Sequence, residues 1–154
     1  MVISHGDSTK AALCGAFLIA FLLTRDSEQT ESAILDAIDS SDAEATAGHE
    51  FVLRAATAAL AAQTETGGSR LPLPEELQDV LRLSARYRHC FVLRALAGMS
   101  REECAGILNV DASFVDEHTR LAFIELAEFR SQSKGASVQA PMAIRGRGRT
   151  DHSE

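Results

Sequence analysis

The chain is constrained most by a helix-start signal in its second half. Ser100 is followed three residues later by Glu103, which is the capping-box pattern at the start of a helix. Gly98 stands just before this signal, where a preceding helix needs a left-handed residue at its C-terminus. The pattern therefore predicts that one helix ends beside Gly98 and that a short helix follows Ser100.

A second break comes at the end of this short helix. Asn109 tolerates a left-handed backbone, Val110 supplies a core side chain, and Asp111 can cap the helix that follows. The last helix is predicted over about 112–129, with Val115 as its first apolar position. Two helices joined by a turn of three or four residues, the second free to lie in a major groove, form a helix-turn-helix.

The rest of the chain also favours helices. Its apolar residues are mostly Ala and Leu, it has one Tyr and no Trp, and its three prolines lie in a linker or tail. Apolar segments predict helices over about 9–23, 27–39 and 47–63, and Ser27 can cap the second. The predicted fold class is all-α.

Composition divides the chain into four zones. Residues 9–63 form a first helical unit, and the Gly- and Pro-containing segment 64–73 is predicted to be a flexible linker. Residues 74–130 form a second helical unit that contains the helix-turn-helix pattern. The polar, Gly-rich segment 131–154 is predicted to be a disordered tail.

Net charge and cysteine spacing limit the kinds of function and cell compartment that fit the chain. The net charge is −7 and no zone is strongly basic, whereas nucleic-acid-binding proteins usually carry a basic face. The three cysteines show no CxxC spacing, so we expect neither disulfides nor zinc, and a reducing cytoplasm fits best. The apolar run 11–23 is too short to span a bilayer, and no signal-peptide cleavage site follows it. We expect no membrane partner.

Catalytic patterns are missing from the sequence. It shows no nucleophile–base pair, no glycine-rich phosphate loop and no metal-binding cluster. We therefore expect a protein that is not an enzyme and that carries no cofactor or metal.

The second unit contains two motifs in a fixed order: Phe91-Val-Leu-Arg94, then Gly98-Met-Ser100-Arg-Glu102-Glu103-Cys-Ala105-Gly-Ile107-Leu108. They resemble region 4 of extracytoplasmic-function sigma factors, which belong to the sigma-70 family of RNA polymerase. The resemblance implies a helix-turn-helix that reads promoter DNA. It places the DNA contacts at Ser113, Phe114, Asp116, Glu117, His118 and Arg120.

A second resemblance, to region 2 of the same family, covers residues 11–60. The segment 22–31 looks like the family's turn before its polymerase-binding helix. The segment that begins Phe51-Val-Leu-Arg54 looks like a decayed copy of the helix that melts the −10 element. This resemblance implies contacts with the RNA polymerase core at Glu28, Glu31, Ile34 and Leu35.

The chain departs from the family pattern at both sites. In the family, basic residues follow the valine of the recognition helix, but here Asp116 and Glu117 follow it and would repel phosphates. Arg120 and His118 remain as candidate contacts. Promoter melting uses aromatic side chains to hold unstacked bases, and the third predicted helix offers only Phe51.

Two functions are compatible with these observations. The first is a cytoplasmic sigma-70-like transcription factor that binds promoter DNA and acts in transcription initiation with RNA polymerase. The alternative is a sigma mimic or regulator that has lost DNA binding and binds an anti-sigma factor or polymerase through its acidic helices.

Overall fold

The computed structural model describes residues 5–40, 48–62 and 71–136, and every regular element within these ranges is helical. This confirms the predicted all-α class for the described residues. Within them, no helix combines the length and apolarity needed to cross a membrane. The helices are α1 (His5–Thr24), α2 (Ser27–Asp39), α3 (His49–Ala61), α4 (Glu75–Arg82), α5 (Ala85–Phe91), α6 (Arg101–Leu108) and α7 (Ala112–Ala136); a π-helical turn (Val92–Leu96) continues α5.

The observed helix boundaries agree closely with the predicted ones except near the two ends of the chain. The structure confirms α2 over residues 27–39, and α1 begins a few residues before the predicted start. Helix α7 continues through residues 131–136, which composition assigns to the tail, because no proline or glycine interrupts it before Gly135. Most of the predicted linker and the rest of the tail lie outside the described residues.

The side chain of Asp26 caps the start of helix α2. The carboxylate of Asp26 accepts hydrogen bonds from the backbone N–H groups of Glu28 at 2.8 Å and Gln29 at 3.1 Å. Asp26 is therefore the N-cap, and Ser27, the predicted cap, is the first helical residue. Inside the helix, the buried hydroxyl of Thr30 donates to the Asp26 carbonyl at 2.6 Å and ties the first turn to the cap.

The two halves of the chain share one hydrophobic core. Helices α1, α2 and α3 pack on one another, and α1 also contacts α5 and the π-helical turn. Phe51 and Leu22 from the first half lie in the same buried cluster as Leu93 and Met99 from the second half. A hydrogen bond of 3.2 Å between the side chains of His49 and Glu103 links the surfaces of α3 and α6.

Candidate functional site

The end of α5 sets the position of α6. In the widened π-helical turn, the Ala97 N–H donates to the Val92 carbonyl at 2.8 Å, and the Met99 N–H donates to the Leu93 carbonyl at 3.0 Å. Gly98 has a φ of +68°, which confirms the predicted left-handed residue at the end of this helix. Met99 is fully buried, so the chain enters α6 from a fixed point in the core.

Helix α6 starts with the predicted capping box. The Glu103 N–H donates to the Ser100 hydroxyl at 3.1 Å, and the Ser100 N–H donates to the Glu103 carboxylate at 2.7 Å. This backbone hydrogen bond is the main reason that the pKa of Glu103 is lowered, and a hydrogen bond from His49 adds to the effect. Since the His49–Glu103 distance is 3.2 Å, the capping carboxylate also contacts α3.

Replacing Ser100 with alanine is expected to lower the free energy of unfolding by about 1 kcal/mol, because it removes one half of the capping box. Ser84 provides a matched control. It also precedes a helix, α5, but its side chain makes no capping hydrogen bond. Urea unfolding should therefore detect a smaller loss for Ser84→Ala, and equal losses would contradict the capping argument.

A three-residue turn separates α6 from α7. Asn109 has a φ of 53°, as its predicted left-handed conformation requires. The Val110 N–H donates to the Ala105 carbonyl at 3.0 Å and closes the C-terminus of α6. The Phe114 N–H donates to the Asp111 carbonyl at 3.0 Å and opens α7. The turn therefore keeps α6 and α7 as separate helices that pack against each other.

The first half of α7 lies largely on the surface. Only Val115 and Ala122 of this helix are buried. Of the residues proposed to contact DNA, Phe114 and His118 are half-buried and the others are exposed. The structure therefore places these residues together along the first three turns of one helix.

The exposed charged side chains on this surface form ion pairs with one another. Arg101 of α6 contacts Asp116 at 3.3 Å and Glu102 at 2.7 Å. Arg120 binds both carboxylate oxygens of Glu117, at 2.8 Å and 3.1 Å. The hydrogen bond from Arg120 is the main reason that the pKa of Glu117 is lowered. A phosphate group that approached either arginine would therefore compete with a carboxylate that is already in place.

His118 is held by aromatic neighbours. Its ring stacks on Phe114 with the ring centroids 3.6 Å apart and 18° between the planes. The ring of Tyr87 in α5 lies 5.5 Å from that of His118, centroid to centroid, with the two planes tilted by 59°. The Nδ1–H of His118 donates to the Phe114 carbonyl at 2.9 Å. These contacts fix the ring of His118 against α5 and α7.

Comparison with known proteins assigns no function to this surface. No known protein family, curated protein or solved structure matches the chain. The assignment of a function therefore depends on the side chains of the surface itself.

The residues proposed to contact polymerase divide between two faces of α2. Glu28, Glu31 and Leu35 are exposed, and Leu35 has 60% of its surface accessible. Ile34 is buried in the core instead, so it is not available at this surface as the resemblance implies. The helical period explains the difference, because Ile34 shares the inward face with Thr30 and adjacent Ala residues.

Phe51 is also in the core. Its side chain has no accessible surface in α3, so it cannot stack on an unpaired base in this arrangement. No group of three metal-ligating side chains is found among the described residues. Burial raises the pKa of the thiols of Cys90 and Cys104 to about 11, which makes both poor nucleophiles.

Two residues that contribute to the α6–α7 surface were not predicted from the sequence. Arg101 pairs with Asp116 across the α6–α7 boundary, and Tyr87 packs on His118 from α5. Both contacts join residues more than one turn apart in different helices, so no local spacing predicts them.

Proposed function

We propose that the chain is a sigma-like protein of transcription initiation that acts with RNA polymerase and contacts promoter DNA through α6 and α7. The proposal is supported by one observation above all. After a three-residue turn, the first half of α7 is exposed on the side that α6 does not cover. An exposed second helix of this kind is the element that a helix-turn-helix inserts into a major groove.

The charges of α7 limit the strength of this contact. Arg120 is the exposed cation of the helix's first three turns, and Glu117 already engages its Nε and Nη2, so a phosphate or a guanine edge would meet a partly neutralised guanidinium. Asp116 is held by Arg101 in the same way. We therefore propose weak binding with a shallow dependence on salt concentration, because few phosphates are neutralised.

A second candidate function is supported by the same ion pairs. A surface whose cations are already neutralised suits a sigma mimic that binds a protein instead of DNA. Helix α2 then provides the acidic contact, because Glu28 and Glu31 are exposed beside Leu35. An anti-sigma factor or the polymerase core would be the partner.

A gel shift at low ionic strength, with promoter and random DNA, separates the two candidates. For the first, we expect binding that Arg120→Ala weakens, since each phosphate contact changes the salt slope of log K by about 1. The double variant Asp116→Lys/Glu117→Ser is expected to bind more tightly, because it removes two anions and adds one cation. The salt dependence of binding should become correspondingly steeper.

Lys10→Ala on α1 is the matched control, since it removes one exposed cation that is not on α7. It should leave the gel shift unchanged. If neither the wild-type chain nor the double variant shifts DNA, the DNA contact is wrong. Co-purification with polymerase or an anti-sigma factor, lost on Glu28→Lys/Glu31→Lys, would then establish the second candidate.

A further inference from the structure

One face of α7 carries an exposed apolar centre between charges. Phe123 and Ile124 keep 54% and 45% of their surface accessible, although Phe123 also rests edge-on against Phe91 at 5.1 Å. Positions four and seven residues from Ile124 share its face of the helix. They are occupied on either side by exposed polar residues, namely Glu117, Arg120, Glu128 and Ser131.

The C-terminal part of α7 has few contacts of its own. From Ala127 to Ala136 every residue except Phe129 is exposed, and Phe129 packs under the guanidinium of Arg82 at 4.0 Å. Most helical stability in proteins comes from packing of a helix face, not from intrinsic propensity. Ten residues of helix with one packed side chain are therefore suited to a partner that covers the remaining face.

We propose that a second copy of this chain packs antiparallel against α7, with the two-fold axis at Ile124. In this arrangement, a residue on the N-terminal side of Ile124 faces the residue equally far on the C-terminal side of the partner helix. Arg120 then lies opposite Glu128, and the symmetry makes this ion pair twice. Glu117 lies opposite the exposed, uncharged Ser131.

Charge order along α7 favours a second copy over other occupants. The face carries Arg120 on the N-terminal side of Ile124 and Glu128 equally far on the C-terminal side, so these charges are complementary only when the copies run in opposite directions. Nucleic acid would be repelled by Glu117 and Glu128 and would gain little from Ile124. The pairing does not depend on the proposed DNA contact, but it covers Arg120 and would compete with that contact.

The size of the surface sets the expected affinity. Stable interfaces bury about 800 Å² on each partner, and weak or transient interfaces bury less. A single exposed helix face belongs with the weaker interfaces. We therefore expect an equilibrium between monomer and dimer in the micromolar range of protein concentration. Sedimentation velocity of the full chain over that range measures it directly.

Three variants test the pairing. Ile124→Ser is expected to be monomeric throughout, because it removes the apolar centre. Arg120→Glu and Glu128→Arg are each expected to be monomeric alone, since each places like charges opposite one another. Mixing these two variants should restore the dimer, because both symmetric contacts in the mixed pair then join a glutamate to an arginine.

Leu35→Ser on α2 is the matched control. It removes an even more exposed apolar side chain from another helix, and it should leave the equilibrium unchanged. Circular dichroism of each variant verifies that it remains helical. A wild-type chain that stays monomeric at the highest concentration overturns the proposal. So does a mixture of the charge variants that associates no better than either one alone.

Discussion

Replacing Phe51 with alanine is expected to lower the free energy of unfolding by about 3–5 kcal/mol. The ring has no accessible surface and lies in the cluster that joins α3 to the rest of the core. Removing it costs the transfer free energy of the ring and leaves a cavity that the packed helices can fill only in part. Urea unfolding monitored by circular dichroism measures this loss.

Phe123→Ala is the matched control, because it makes the same chemical change where 54% of the side chain is exposed. The expected loss there is smaller, since less of the ring is removed from water and solvent fills the space. Both variants should be measured at a protein concentration low enough to keep the chain monomeric. A loss at Phe51 that is no larger than the loss at Phe123 would contradict the buried position of Phe51.

The burial of Phe51 also has a functional consequence. It is the aromatic residue that the resemblance assigns to the promoter-melting helix, and a fully buried ring cannot hold an unstacked base. If the chain acts in transcription initiation, the part of it that meets DNA is therefore expected to be α7. The gel shift with α7 variants addresses that part directly.

Local features of the fold could be predicted because neighbouring residues determine them. The capping box of Ser100 and Glu103 spans four residues, and the left-handed residues Gly98 and Asn109 each act at a single position. Helix α2 was bounded correctly for the same reason. Its start depends on Asp26 and the next three residues, although sequence alone suggested the neighbouring Ser27 as the cap.

The features that were not predicted depend on helices that are distant in sequence. Arg101 neutralises Asp116 only because the turn at 109–111 brings α6 beside α7. Ile34 is buried and Leu35 is exposed because of how α2 lies on its neighbours, and both are apolar in sequence. The π-helical turn after Phe91 is set by the Ala97–Val92 hydrogen bond, which no residue type specifies.

Two basic residues of α5 lie near the end of α1, and Arg88 is buried whereas His89 is half-buried. Arg88 is 5% exposed, its Nη1 donates to the Leu83 carbonyl at 3.1 Å, and its Nε has no hydrogen-bond partner among the described residues. Burial and the nearby Arg25 lower the pKa of Arg88 to about 10, so it stays charged at neutral pH. The adjacent His89 therefore lies beside a permanent positive charge.

His89 resists protonation in the folded protein. Burial, followed by the charge of Arg88, lowers its pKa to about 4, although a hydrogen bond to the Leu23 carbonyl opposes the shift. In the unfolded chain the pKa of a histidine is about 6.5. Between these two values, the unfolded chain binds a proton that the folded chain does not bind. Lowering the pH through this window therefore favours unfolding.

The wild-type chain is expected to lose about 2 kcal/mol of stability from this histidine between about pH 7.5 and about pH 5, and about 3 kcal/mol once the pH falls below about 4. Urea unfolding at several pH values measures the loss. His89→Gln cannot titrate and keeps a side chain able to donate to the Leu23 carbonyl. Its stability should therefore fall less over the same window, and the difference between the two curves isolates His89. Parallel curves would mean that His89 is protonated as easily in the folded chain as in the unfolded one, and that α5 does not exclude the charge.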